Sequence, residues 1–160
     1  MTLLFLHGLE SGPHGTKYQA LKKTFGSVIS PDCSGIIDPQ QRLQIIMETI
    51  KQSEEQFLVI GSSMGGLMAL LLQQAAPERI AGMVLCAPAL HRPAATGLSA
   101  STLPPTVVIH GRQDTVVPIA ASRKFGCPLL EVDDDHSLKN SLTIILSEVA
   151  KLKNQLKKGD

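Results

Sequence analysis

The chain contains no tryptophan, one tyrosine and four phenylalanines in 160 residues. Without aromatic faces there are no stacking platforms for single-stranded nucleic acid, and the case for an aromatic-lined sugar site weakens as well. Excess charge of either sign is also lacking: fifteen Lys and Arg against fourteen Asp and Glu leave a formal net charge of +1. A near-neutral chain has no basic field with which to hold nucleic acid or an acidic membrane surface. No apolar run reaches the ~18 residues of a membrane span; the most apolar stretch is interrupted by Gln73 and Gln74. The opening MTLLFLHGLESG lacks the basic region of a signal peptide, so a soluble, cytoplasmic protein is expected.

Cysteine is sparse. Cys33, Cys86 and Cys127 fit neither the spacing of a zinc site nor a disulfide framework. They read as small buried hydrophobes in a reducing compartment, with Cys33 notable because it follows a predicted strand. The five histidines are scattered, with no H-x-x-x-H or H-E-x-x-H pattern, so no metal is expected. Neither a Walker phosphate loop nor a G-x-G-x-x-G fingerprint is present, and no cofactor is expected.

What the chain does have is a regular alternation of short apolar runs and helical periods. Apolar runs at Thr2–Leu6, Val28–Ser30, Phe57–Ile60, Met83–Cys86, Thr106–His110 and Leu129–Val132 are bounded by Gly, Pro or Asp and read as buried strands. Between them, Tyr18, Leu21 and Phe25 recur at helical spacing before Gly26, as do Leu43, Ile46, Met47 and Ile50 after the Asp38-Pro39 start signal. Ile119–Phe125 reads as a short helix, and Ser137 to about Leu156 as a closing one. The alternation predicts one α/β domain over residues 1–160, a mainly parallel sheet of about six strands with helices on both faces.

The centre of this pattern is FLVIGSSMGGLMALLLQQAAP, residues 57–77. It reads as strand, sharp turn and helix, and Gly61-Ser62-Ser63-Met64-Gly65 fits G-x-S-x-G, the nucleophile elbow. In a parallel sheet, sites form beyond the carboxyl ends of the strands. His7-Gly8-Leu9 follows the first strand, Ser63 the third, Asp114 the fifth and His136 the sixth. Serine, acid and histidine thus arrive in that chain order on one edge. Asp114 has the alternative role of closing a turn, and Asp133, Asp134 and Asp135 are rival acids beside His136. Neighbours on an extended segment point apart, which disfavours those three. His7 and His110, each before a glycine, read as structural, hydrogen-bonded histidines.

The elbow GSSMG, the turn HGLESG, the segment HGRQDTVVP and the segment DDDHSL together resemble the landmarks of a small α/β-hydrolase of the carboxylesterase type. The opening FLHGLESGPHGTK resembles compact bacterial esterases with little or no cap. Members usually carry eight strands; six are counted here. The resemblance implies Ser63 as nucleophile, His136 as base and Asp114 as the acid that orients it. It implies an oxyanion hole from the backbone N–H groups of Leu9 and Met64. Glu10, His14, His91 and Val117 are candidates for pocket lining. A cap would enter between Pro88 and Thr106, where the connection is too short for a multi-helix lid. An open site for short acyl esters is therefore expected, with a small-molecule ester as the partner. Thioesters or other acyl substrates, and a non-catalytic binding module, are the alternatives. A histidine base must be neutral to take a proton, so activity is expected to fall on acidification through the range where imidazoles titrate.

Overall fold

The computed structural model describes residues 1–159. Six strands form one sheet: β1 (Thr2–Leu6), β2 (Val28–Ile29), β3 (Phe57–Ser62), β4 (Ile80–Cys86), β5 (Thr106–Gly111) and β6 (Leu129–Val132). Their order is β2-β1-β3-β4-β5-β6, and every described pair is parallel. The order reverses where β1 and β3 lie side by side, the place where open α/β sheets open a crevice.

Alternation along the strands builds two cores. Leu4, Leu6, Val59, Met83, Leu85 and Val108 face one side, where they meet Ile46 and Ile50 of α2 (Pro39–Ile50) and Leu67, Met68 and Leu72 of α3 (Met64–Ala75). Leu3, Phe5, Leu58, Ile60, Val84, Cys86 and Ile109 face the other side. They meet Tyr18 and Leu21 of α1 (Thr16–Phe25) and Ile145, Val149 and Leu152 of α5 (Leu142–Lys157). Phe125 of α4 (Ile119–Phe125) packs on the first face. A strand buried on both sides must be apolar at every position, and Phe57, Leu58, Val59 and Ile60 are each 0% exposed. Asp38 caps α2, its carboxylate accepting the Gln41 N–H, with Pro39 inside the first turn.

Two boundaries differ from the sequence expectation by three residues or more. β4 begins at Ile80 rather than Met83, because Gly82 continues the pairing with Leu58. The last helix begins at Leu142, not Ser137. Leu138 has φ 55° and is fully buried, which interrupts any helix there, and a short 3-10 turn, Lys139–Ser141, follows. The buried Asp134 carboxylate anchors this turn by accepting the Asn140 N–H and the Ser141 hydroxyl. No helix among the described residues is long and apolar enough to cross a membrane.

Candidate active site

Ser63 stands between β3 and α3 with φ 56° and ψ −114°, a conformation that L-residues rarely adopt. The turn is possible because the chain passes too close to itself for side chains at its flanks. A Cβ on Gly65 would sit 1.9 Å from the Leu6 carbonyl oxygen, and one on Gly61 would sit 2.4 Å from the Gly65 carbonyl oxygen. β1 thereby approaches the elbow without an intervening side chain. The Leu9 and Met64 N–H groups have no protein acceptor among the described backbone hydrogen bonds.

Ser63 Oγ lies 3.0 Å from His136 Nε2, and His136 Nδ1 lies 2.7 Å from Asp114 Oδ2. A carboxylate on Nδ1 requires that nitrogen to donate, so Nε2 is left to accept the serine proton. The residues come from the ends of β3, β5 and β6, and the His136 imidazole is more exposed than the Asp114 carboxylate, at 24% against 0%. Asp114 is fixed from its other oxygen as well: Oδ1 accepts the N–H groups of Val116 and Val117, both at 2.8 Å. Burial pushes the Asp114 carboxyl up, but the bonds from His136, Val117 and Val116 outweigh it and hold the group below its ordinary value. The turn-closing role and the acid role of Asp114 are thus compatible. The rival acids point elsewhere: Asp133 accepts from Gln113, Asp135 from Ser137, and Asp134 from the turn before α5.

The two strand-end histidines have structural partners. His110 is fully buried; its Nε2 donates to the Val117 carbonyl at 3.0 Å and lies 3.1 Å from Asp114 Oδ2, and its Nδ1 accepts the Ser122 hydroxyl at 2.7 Å. His7 donates from Nδ1 to the Gly8 carbonyl and accepts the Cys33 N–H at Nε2. Cys33 is itself buried, and burial pushes its thiol up.

Of the expected pocket residues, His91 lines an open cavity of about 780 Å³ between the 90–100 loop and α4. Ser63, Asp114 and His136 do not line it. It begins close to them, since Ala89 donates to the Ser63 carbonyl at 3.0 Å and Leu90 and His91 follow as lining residues. Glu10 is solvent-exposed. His14 packs on Tyr18, ring centroids 4.6 Å apart, and lines neither described cavity. Val117 is 0% exposed and acts through its backbone, holding Asp114 and His110 rather than facing a ligand. Among the described residues no cluster of His, Cys, Asp or Glu is arranged to hold a metal ion.

Arg42 is a further residue beside the site that no sequence motif marks. It sits on α2 at 1% exposure and donates to the carbonyls of Ile36, His7 and Gly8. The available signal is a cation four residues before Ile46 and eight before Ile50, on their apolar face, where a lone charge is out of place.

Comparisons with known proteins agree with this architecture. Residues 36–103 match the family model described as serine aminopeptidase, S33. No curated relative matches the chain in sequence. Among solved structures, a protein assigned to the α/β hydrolases from Xanthomonas campestris superposes with a TM-score of 0.80 at 24% identity, covering 96% of this chain and 98% of that one. Est1E from Butyrivibrio proteoclasticus gives 0.80 at 17% identity, covering 98% and 88%. A monoacylglycerol lipase from Paleococcus ferrophilus gives 0.71 at 16% identity, covering 94% and 93%. Six parallel strands in this order among the described residues, and the neighbours that share them, show that the chain has the α/β-hydrolase fold.

Proposed function

We propose that the protein is a serine hydrolase that cleaves small carboxylic esters through an acyl-enzyme. The observation that carries this reading is the hydrogen-bonded chain from Ser63 Oγ through His136 to Asp114, at 3.0 and 2.7 Å. His136 Nε2 takes the Ser63 proton as Oγ attacks the ester carbonyl. The carbonyl oxygen becomes an anion, received by the N–H groups of Met64 and Leu9. The protonated His136, stabilised by Asp114, then gives its proton to the departing alcohol. Water repeats the sequence on the acyl-enzyme and releases the acid.

The short loop between β4 and β5 supports small acyl groups, since it carries only two 3-10 turns, Pro93–Ala95 and Ala100–Thr102, and no lid. The neighbour named as a monoacylglycerol lipase favours esters over peptides, while the name of the matched family keeps a peptidase assay in the test.

A fluorophosphonate probe should label the wild-type protein and not Ser63→Ala. Absent labelling of the wild type, or equal labelling of the variant, would point to a non-catalytic binding module instead. In a p-nitrophenyl ester series, acetate and butyrate should be cleaved faster than palmitate. Faster cleavage of thioesters or aminoacyl anilides than of either short ester would move the substrate class.

A further inference from the structure

Arg42 presents a buried cation with no carboxylate partner among the described residues. Removing a guanidinium from water without a counter-charge is costly, and an apolar side chain of similar volume would satisfy a core position better. Three backbone carbonyls take the place of the missing anion. Nε donates to Ile36 at 2.6 Å, Nη1 to His7 at 2.9 Å and Nη2 to Gly8 at 3.3 Å. The planar fork of donors suits two consecutive carbonyls; a lysine ammonium cannot span the same set.

The Gly8 carbonyl is the informative acceptor. It receives a second donor, His7 Nδ1, at 2.7 Å. His7 is held for that task, because the Cys33 N–H occupies its Nε2 at 2.9 Å and so leaves the proton on Nδ1. The peptide that begins with the Gly8 carbonyl ends with the Leu9 N–H, and no peptide bond among the described residues is cis. In a planar trans peptide the two groups point in opposite directions. Two donors that hold the carbonyl on one side therefore aim the Leu9 N–H to the other, where it has no protein acceptor among the described hydrogen bonds. Gly8 lies against the elbow: a Cβ there would be 3.4 Å from Ser63 Cβ.

We propose that Arg42 is a positioning residue for the oxyanion hole, which together with His7 fixes and polarises the Gly8–Leu9 peptide so that the Leu9 N–H meets the charge developing on the substrate oxygen. The inference rests on the serine-hydrolase reading above. Hydrogen bonds to a carbonyl strengthen the donor at the other end of the same peptide. A fixed positive charge behind that peptide adds to the field at the oxyanion. The effect belongs to the tetrahedral state, because the ground-state ester carries no such charge.

The test compares wild type, Arg42→Lys and Arg42→Met, each normalised to sites titrated with a fluorophosphonate, against two ligands of one skeleton. A trifluoromethyl ketone forms a hemiketal oxyanion on the serine, whereas the matching methyl ketone binds largely as the ketone. In Arg42→Lys, kcat for p-nitrophenyl butyrate should fall roughly tenfold or more, with KM little changed, on the scale of a weakened oxyanion donor. Affinity for the trifluoromethyl ketone should fall in step and affinity for the methyl ketone should stay. If Arg42→Met folds, its losses should be larger; Arg42→Lys alone decides the matter if it does not. A lower Tm with kcat per titrated site within about twofold of wild type, or equal weakening of both ketones, overturns the proposal and leaves Arg42 a strut between α2 and β1. If wild type is neither labelled nor inhibited, the serine-hydrolase reading fails first and this proposal falls with it.

Discussion

Replacing Asp114 by asparagine changes one oxygen to an amide nitrogen, and the surrounding bonds dictate which one. Oδ1 accepts two backbone N–H groups, from Val116 and Val117, each at 2.8 Å. Only a carbonyl oxygen can stay there. The new NH2 must then take the Oδ2 position, 2.7 Å from His136 Nδ1. Two donors cannot face each other at that distance, so the imidazole proton moves from Nδ1 to Nε2. His136 then meets Ser63 Oγ with an N–H instead of a lone pair and cannot accept the serine proton. The loss should approach the roughly 10⁴-fold seen when a triad acid is changed to its amide elsewhere, equivalent to about 5.5 kcal/mol of barrier. The same NH2 would also face His110 Nε2, 3.1 Å from Oδ2 in the native protein. A buried donor without an acceptor costs about 1–3 kcal/mol, so stability should fall too. The assay is pre-steady-state hydrolysis of p-nitrophenyl acetate, per folded molecule, with folding followed by urea titration. An acylation rate within tenfold of wild type would refute the tautomer argument and with it the role of Asp114.

Two further outcomes follow from the same geometry. Gly65→Ala puts a Cβ 1.9 Å from the Leu6 carbonyl oxygen and 2.4 Å from its carbon, both backbone atoms that cannot swing aside. It should cost about 3 kcal/mol or more, a Tm loss of roughly 6–12 °C for a chain of this size, whereas Gly12→Ala, whose nearest contact is Ser34 Oγ at 3.6 Å, should be tolerated; equal Tm values in differential scanning calorimetry would contradict this. The buried His7 imidazole is held below its ordinary value of 6.5, chiefly by burial. Above that value neither the folded nor the unfolded chain binds the proton and the shift contributes nothing. Below it the unfolded chain binds the proton first, so stability falls with falling pH until the folded value is reached. Urea midpoints between about pH 7 and pH 5 should therefore drop more steeply in wild type than in His7→Asn, and parallel slopes would remove His7 as the cause.

The sheet and the candidate triad were legible because both are written in local patterns. β3 is a continuous apolar run with both faces buried, and each run ends in a short segment where a polar residue must emerge. Listing those segments was enough to assemble Ser63, Asp114 and His136. The start of α5 is not legible in the sequence, for the opposite reason. Leu138 continues the apolar period of Leu142, Ile145 and Val149, so periodicity counts it as helix. Its positive φ is imposed by the return of the chain from His136 and by the Asp134 carboxylate beneath the turn. Arg42 was hidden because its value depends on partners far along the chain, the carbonyls of His7 and Gly8. Val117 is buried rather than pocket-lining, and an apolar side chain three positions after a loop acid reads the same in sequence whether it faces a ligand or the core.

The elbow itself explains how a serine is held in a conformation that costs about 1–3 kcal/mol. Its N–H donates to the Cys86 carbonyl at 2.9 Å, which ties it to the end of β4. Its carbonyl receives three N–H groups, those of Gly66, Leu67 and Ala89, at 2.9, 3.2 and 3.0 Å. Two of these belong to the first turn of α3 and the third to the segment that leads to the cavity. At about 0.5–1.5 kcal/mol net for each bond, the set is sufficient to hold the strained backbone before any substrate arrives. The same bonds make the rotation of Ser63 inseparable from the position of Ala89. Under the ester-hydrolase proposal, a substrate group that pushed on Leu90 would act on the backbone of the serine through the one intervening residue, Ala89.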